Sequence, residues 1–145
     1  MRLAASLFVA LLLLAPPVRA ADPVLIDAPS ARTRAAAGEI TVIDVRSPPE
    51  WRRTGVAKDA VPVTIHRPDG MAGFVAATLR ALDGHRERPV AVICATGRRS
   101  TMAAEALRDA GFTRVLNIRE GMLGNRADGP GWLTRKLPVE DCRGC

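Results

Sequence analysis

The chain predicts an α/β fold in which a mainly parallel central sheet of about five strands carries helices on both faces. Two observations carry that prediction. Short apolar, β-branched runs recur as "VLID", "EITVIDV", "AVPVTI", "PVAVIC" and "RVLNI". Near-continuous apolar runs of this length suit strands covered on both faces, as in parallel sheets. Between the runs lie segments with helical apolar spacing and with start and stop residues at their ends. Strand, crossover helix, strand, repeated without internal repeats or low-complexity stretches, gives parallel strands joined by right-handed crossovers.

The first twenty residues stand apart. Arg2 precedes an apolar run over 3–15, followed by Pro16, Pro17 and the small-residue pattern Val18-Arg19-Ala20. That pattern reads as a signal peptide over 1–20, cleaved after Ala20, because the run is shorter than the roughly 20 residues a membrane span needs. Export follows, and a composition rich in Ala, Arg, Leu and Val reads as bacterial, so the expected location is periplasmic. The membrane is met only through this leader. One domain over 21–138 and a short C-terminal tail over 139–145 remain.

Taken in order, 24–27 predicts a first strand, and 30–37 a short helix opened by Ser30 and closed by Gly38. A buried strand is expected over 39–45. Pro48 and Pro49 suit the first turn of a helix that runs to Thr54 and stops at Gly55. The run 60–65 is a strand that Pro62 assigns to an edge. Over 71–82, Phe74, Val75, Thr78, Leu79 and Leu82 form one buried helical face. The run 89–94 is the most central strand and ends on Cys94. The next helix, 100–111, is read with Ser100 as N-cap, Met102, Ala103, Ala106, Leu107 and Ala110 on its buried face, and Gly111 as its stop. A fifth strand over 114–118 precedes a polar, glycine-rich segment to Trp132 and an irregular tail.

Composition narrows the function classes. At 145 residues, 48% hydrophobic and 25% charged, the chain has material for one core. Removing Arg2 and Arg19 with the leader takes the formal charge from +6 to +4, and the excess is scattered in pairs such as Arg52-Arg53 and Arg98-Arg99. With no tyrosine and only five aromatics, the chain lacks a base-stacking surface, so nucleic acid is not a partner; a small anion is. Trp51 and Trp132 read as packing residues, and His66 and His85 as surface side chains.

The three cysteines carry the chemistry. Cys142 and Cys145 form a terminal C-R-G-C, either a disulfide or redox pair or two free thiols, and a dithiol there could take up sulfur from a persulfide. Zinc would need two further ligands that the histidines do not supply, so no metal or cofactor is called for. Cys94 is left unpaired, at the carboxyl end of the most central strand, where ligands bind in such sheets. The stretch "CATGRRS" links that strand end to a helix start. Backbone N–H groups and the positive helix end there converge on one point and favour a thiolate, Gly97 permits the tight turn, and Arg98 and Arg99 add positive charge. The bland reading is a small core cysteine.

Cys94-x-x-Gly97-x-Arg99-Ser100, Asp44-Val45-Arg46-x-Pro48-x-Glu50-Trp51 and a closing Gly121-Met122, Gly131-Trp132, Leu137-Pro138-Val139 together resemble single-domain rhodaneses. The resemblance implies a rhodanese-like three-layer fold and a thiosulfate sulfurtransferase-like activity. In it, Cys94 takes a sulfane sulfur from a small anionic donor, thiosulfate or a persulfide or polysulfide, and passes it to cyanide or a thiol. Ala95, Thr96, Gly97, Arg98, Arg99 and Ser100 would bind the donor and stabilise the persulfide, with Asp44 and Arg46 in support or as a structural ion pair. Two departures bear on the donor. Gly55-Val56-Ala57-Lys58-Asp59-Ala60 replaces a His- and Pro-containing stretch, and Ala95 and Thr96 stand where thiosulfate-specific members often carry charge.

The alternative is a non-catalytic sulfur carrier or partner-binding module of the same fold. A cysteine phosphatase or arsenate reductase is disfavoured because its arginine comes six residues after the cysteine, whereas Arg99 comes five after Cys94.

Overall fold

The computed structural model describes residues 23–142, 144 and 145; the signal-peptide reading of 1–20 falls outside them. Five parallel strands form the main sheet: β1 (Val24–Leu25), β2 (Thr41–Asp44), β4 (Val61–Pro62), β5 (Val90–Ile93) and β6 (Val115–Ile118), in the order β1-β6-β5-β2-β4. A separate antiparallel ribbon joins β3 (Val56–Ala57) to β7 (Val139–Glu140). The helices are α1 (Ala28–Ala36), α2 (Pro48–Thr54), α3 (Gly70–Ala81) and α4 (Arg98–Asp109). The α/β class with five parallel strands is as expected.

β5 is central, pairing through Val92 with Ile43 of β2 on one side and with Asn117 of β6 on the other. All four of its residues are buried, as the unbroken apolar run requires. Alternate side chains enter two cores. Val90, Val92 and Cys94 join Phe74 of α3, Leu82 at its C-terminal cap and Leu107 of α4, while Ala91 and Ile93 join Ala28 and Ala31 of α1, Met122 and Trp132. Helices therefore cover both faces. From β2 the chain moves outward to β4, then returns to β5 and moves out the other way to β6. The switch point lies between β2 and β5, where open α/β sheets form their ligand crevice.

Several boundaries differ from expectation, each for a local reason. β1 stops at Leu25, and α1 is capped by Asp27, which accepts from the Ser30 N–H at 2.7 Å, so Ser30 lies inside the helix. β4 shrinks to two residues at the edge, in keeping with Pro62. α4 starts at Arg98, with Gly97 rather than Ser100 as its cap. Met102 is 47% exposed and Ala104 takes its place in the core beside Ala103 and Leu107. The tail is not wholly irregular, since β7 docks on β3. Trp132 is a packing residue, fully buried, its Nε1–H donating to the Pro138 carbonyl at 2.9 Å.

Candidate active site

Cys94 follows β5 directly, and four residues, Cys94 to Gly97, turn the chain into α4. Gly97 has φ 96°, and a Cβ on it would collide with the Arg119 carbonyl oxygen, so only glycine fits this cap. A second close approach braces the loop from below. Met122 N–H donates to the Cys94 carbonyl at 2.8 Å and Leu123 N–H to that of Ala95 at 2.9 Å. Gly121 permits this, because a Cβ there would lie 2.7 Å from the Cys94 carbonyl oxygen. Asn125 ties the outer part, its Nδ2 donating to the carbonyls of Arg119 (2.9 Å) and Thr96 (3.3 Å). The closing glycine motif thus holds the loop in shape.

The Cys94 thiol is free and 1% exposed. Its Sγ accepts the Gly97 N–H at 3.1 Å, and the thiol hydrogen points to Ser100 Oγ at 3.6 Å, while the Ser100 hydroxyl donates to the Gly97 carbonyl at 2.9 Å. On loss of the thiol proton, Ser100 can turn its hydrogen to the sulfur. Among the described residues, the N–H groups of Ala95, Thr96, Arg98, Arg99 and Ser100 donate to no protein acceptor. Three of them open α4, whose positive end adds to their attraction for an anion. A sulfur nucleophile and unspent amide donors share one loop.

The arginines divide. Arg99 does not contact the sulfur; its guanidinium clasps Glu50 of α2 through two bonds of 2.6 and 2.7 Å. Glu50 also accepts from the N–H and hydroxyl of Ser47, at 2.9 and 2.6 Å. Arg99, then Ser47, holds the Glu50 carboxyl down at about 2, and Glu50 in turn raises Arg99. Arg98 is exposed and faces a groove beside the loop. Asp44 and Arg46 form a buried ion pair, 0% and 2% exposed, at 2.7 Å. Arg46 also donates to Thr54 Oγ1 at 2.8 Å and to the Gly55 carbonyl at 2.7 Å, clamping the end of α2 to the end of β2. Of the two readings for that pair, its geometry favours the structural one.

Cys142 and Cys145 are joined as a disulfide, Cα atoms 5.5 Å apart. Arg52 of α2 donates to the Cys145 carbonyl. Two residues along a helix turn about 200°, so Arg52 and Glu50 leave α2 on opposite sides, and the structure does not bring the cysteine pair to Cys94. Sequence reasoning missed Glu50, Ser47 and Asn125 as site supports. The spacing Ser47-x-x-Glu50 ahead of a helix was the available signal for the first two, being that of a capping box.

Residues 27–127 match the family described as the rhodanese-like domain. The chain belongs to the rhodanese-like family. This rhodanese-like domain is 29% identical over 115 residues to a sulfurtransferase of Allochromatium vinosum, covering 79% of this chain and 92% of that one. Among solved structures it resembles Rv0390 of M. tuberculosis, with TM-score 0.65, 29% identity and coverage of 84% and 100% of the two chains. It also resembles the polysulfide-sulfur transferase homodimer of Wolinella succinogenes, with TM-score 0.60, 29% identity and coverage of 86% and 83%.

The Glu50–Arg99 clasp has a pH signature. A carboxyl held at about 2, below its ordinary 4.5, adds stability that is complete above pH 4.5 and fades as pH falls toward 2. After allowance for partial exposure the contribution is about 2 kcal/mol at neutral pH. Glu50→Gln is expected to lower urea stability by that amount at pH 7, with the gap from the parent closing toward pH 2. A gap that stays constant with pH would show that the clasp is not the cause.

Proposed function

We propose that this protein is a sulfurtransferase that carries sulfane sulfur as a persulfide on Cys94 and draws it from a polysulfide or persulfide rather than from thiosulfate. The observation that carries the reading is the free Cys94 thiol, with the Gly97 N–H on its sulfur, beside the Ala95, Thr96, Arg98, Arg99 and Ser100 N–H groups that donate to no acceptor among the described residues. The Cys94 thiolate attacks a sulfane sulfur of a polysulfide dianion, and the sulfur–sulfur bond behind it breaks. A Cys94 persulfide anion forms and a dianion one sulfur shorter departs. Cyanide or a thiolate then attacks the outer sulfur, taking it as thiocyanate or as a new persulfide and restoring the Cys94 thiolate. Each step conserves charge and needs no outside oxidant. The free loop amides and the α4 terminus stabilise the outer sulfur's negative charge.

Donor choice rests on Ala95 and Thr96, which place no cation beside Cys94, and on the similarity to a polysulfide-sulfur transferase. Both donors are dianions, but only thiosulfate brings sulfonate oxygens that call for a cation beside the cysteine, so neutral residues at these two positions disfavour it relative to a polysulfide. With cyanide as acceptor, kcat/KM for polysulfide is expected to exceed that for thiosulfate by at least about tenfold, and Ala95→Arg to narrow the gap by raising the thiosulfate value. Equal use of both donors by the parent would overturn the assignment of donor.

A further inference from the structure

Cys142 and Cys145 carry sulfur chemistry that the Cys94 site does not use. Their bridge joins residues only 3 apart in sequence, so it constrains the unfolded chain far less than a long loop would. Nor is it what docks the tail. The segment just ahead of it is held by the pairing of Val139 and Glu140 with Ala57 and Val56, by the Lys58 N–H on the Pro138 carbonyl at 3.0 Å and by the Asp59 N–H on Glu140 Oε1 at 3.2 Å. A bridge that ties no two elements together is poorly placed for a structural task and can open without releasing the ribbon.

The surroundings of the two cysteines differ. Both are half-buried, beside the exposed residues Asp141 and Gly144. Cys142 lines a cavity of about 470 Å³ between the β3–β7 ribbon and the edge strand β4. That volume lies within the range of small-molecule sites, about 300–1,000 Å³. Val56, Ala60 and Pro62 give the cavity an apolar wall, and Glu140 and Asp141 bring carboxylates to it. Cys145 does not line it, and its carbonyl instead accepts from the Arg52 guanidinium. A thiolate entering the cavity therefore meets Cys142, while the cation stands with Cys145, where it favours a departing thiolate.

We propose that the Cys142–Cys145 bridge is a thiol–disulfide exchange site that takes cationic thiols at Cys142. The incoming thiolate attacks Cys142 Sγ, the bridge breaks, and Cys145 leaves as a thiolate. A second thiolate attacks the incoming sulfur, forms an external disulfide and releases the Cys142 thiolate. Two thiols are oxidised by the two electrons that reduce the bridge, and charge is conserved at each step. Glu140 and Asp141 set the choice of thiol, since they attract one bearing an ammonium and repel one bearing a carboxylate. The site stands independently of the persulfide reading of Cys94.

The probes are cysteamine and mercaptoacetate, applied to the full-length Cys94→Ala protein, whose remaining cysteines are the bridged pair. Acid quenching and mass spectrometry with fragmentation give the initial rate and the position of the mixed disulfide. Each rate is divided by that of the same thiol with hydroxyethyl disulfide, a neutral reference that removes intrinsic differences in nucleophilicity. At about 10 mM salt the corrected rate for cysteamine is expected to exceed that for mercaptoacetate at least about fivefold, with the adduct on Cys142. At about 1 M salt the preference should fall below about twofold. Asp141→Asn, at an exposed position that leaves the fold intact, should reduce it at low salt. Equal corrected rates at low salt, a preference that high salt leaves unchanged, an adduct mainly on Cys145, or a bridge that neither thiol opens would overturn the proposal.

Discussion

Cys94→Ala is expected to lower sulfur transfer to cyanide by at least about 10³-fold, because the covalent route disappears and only loop binding remains. Cys94→Ser should fall as far. Serine keeps the size and can still accept the Gly97 N–H that now reaches Sγ at 3.1 Å, yet its oxygen forms no persulfide. The pair of variants separates nucleophile from packing. Cys94 is buried in the core with Val92 and Phe74, so each variant costs about 1 kcal/mol of stability without unfolding the domain. Initial rates with polysulfide and cyanide, alongside urea midpoints, make the check. Retention of more than about a tenth of the parental rate by either variant would mean that another group carries the sulfur.

Arg46→Met is expected to destabilise the domain by about 3–5 kcal/mol, a large share of the roughly 5–15 kcal/mol typical of single domains. Asp44 is 0% exposed and receives three side-chain contacts from Arg46 at 2.7–3.1 Å, so methionine leaves a buried carboxylate without its cation. It also frees Thr54 and the Gly55 carbonyl, loosening the end of α2, whose Glu50 holds Arg99. The double variant Asp44→Leu/Arg46→Met should recover more than half of the loss, since removing both partners leaves no uncompensated charge. Urea unfolding of the three proteins decides it. A single variant within about 1 kcal/mol of the parent would refute the clamp.

How far the molecule could be read from its sequence follows from which interactions are local. β5 and β6 were legible because four-residue runs buried on both faces leave a continuous apolar signature. Pro62 announced an edge strand by lacking an N–H. The start of α4 was misplaced because Ser100 has the side chain of a cap, whereas the structure uses the left-handed backbone of Gly97 and spends the Ser100 hydroxyl on the Gly97 carbonyl. The β3–β7 ribbon has two residues per strand, too few for any period to show. At the site, the reactive cysteine and its glycine were visible in one short motif. The duty of Arg99 was not, because its carboxylate partner lies 49 residues away and only the fold brings them together. Asn125 and Gly121 act by bracing backbone, a role that side-chain chemistry does not advertise.

The most direct test of the central claim is intact-mass spectrometry of the protein and of Cys94→Ala after exposure to polysulfide under conditions that keep Cys142 and Cys145 bridged. The account predicts one added sulfur atom on the parent and none on the variant, with cyanide removing it as thiocyanate in an equal amount. An added sulfur that persists in Cys94→Ala, or a parent that never gains one, would contradict it.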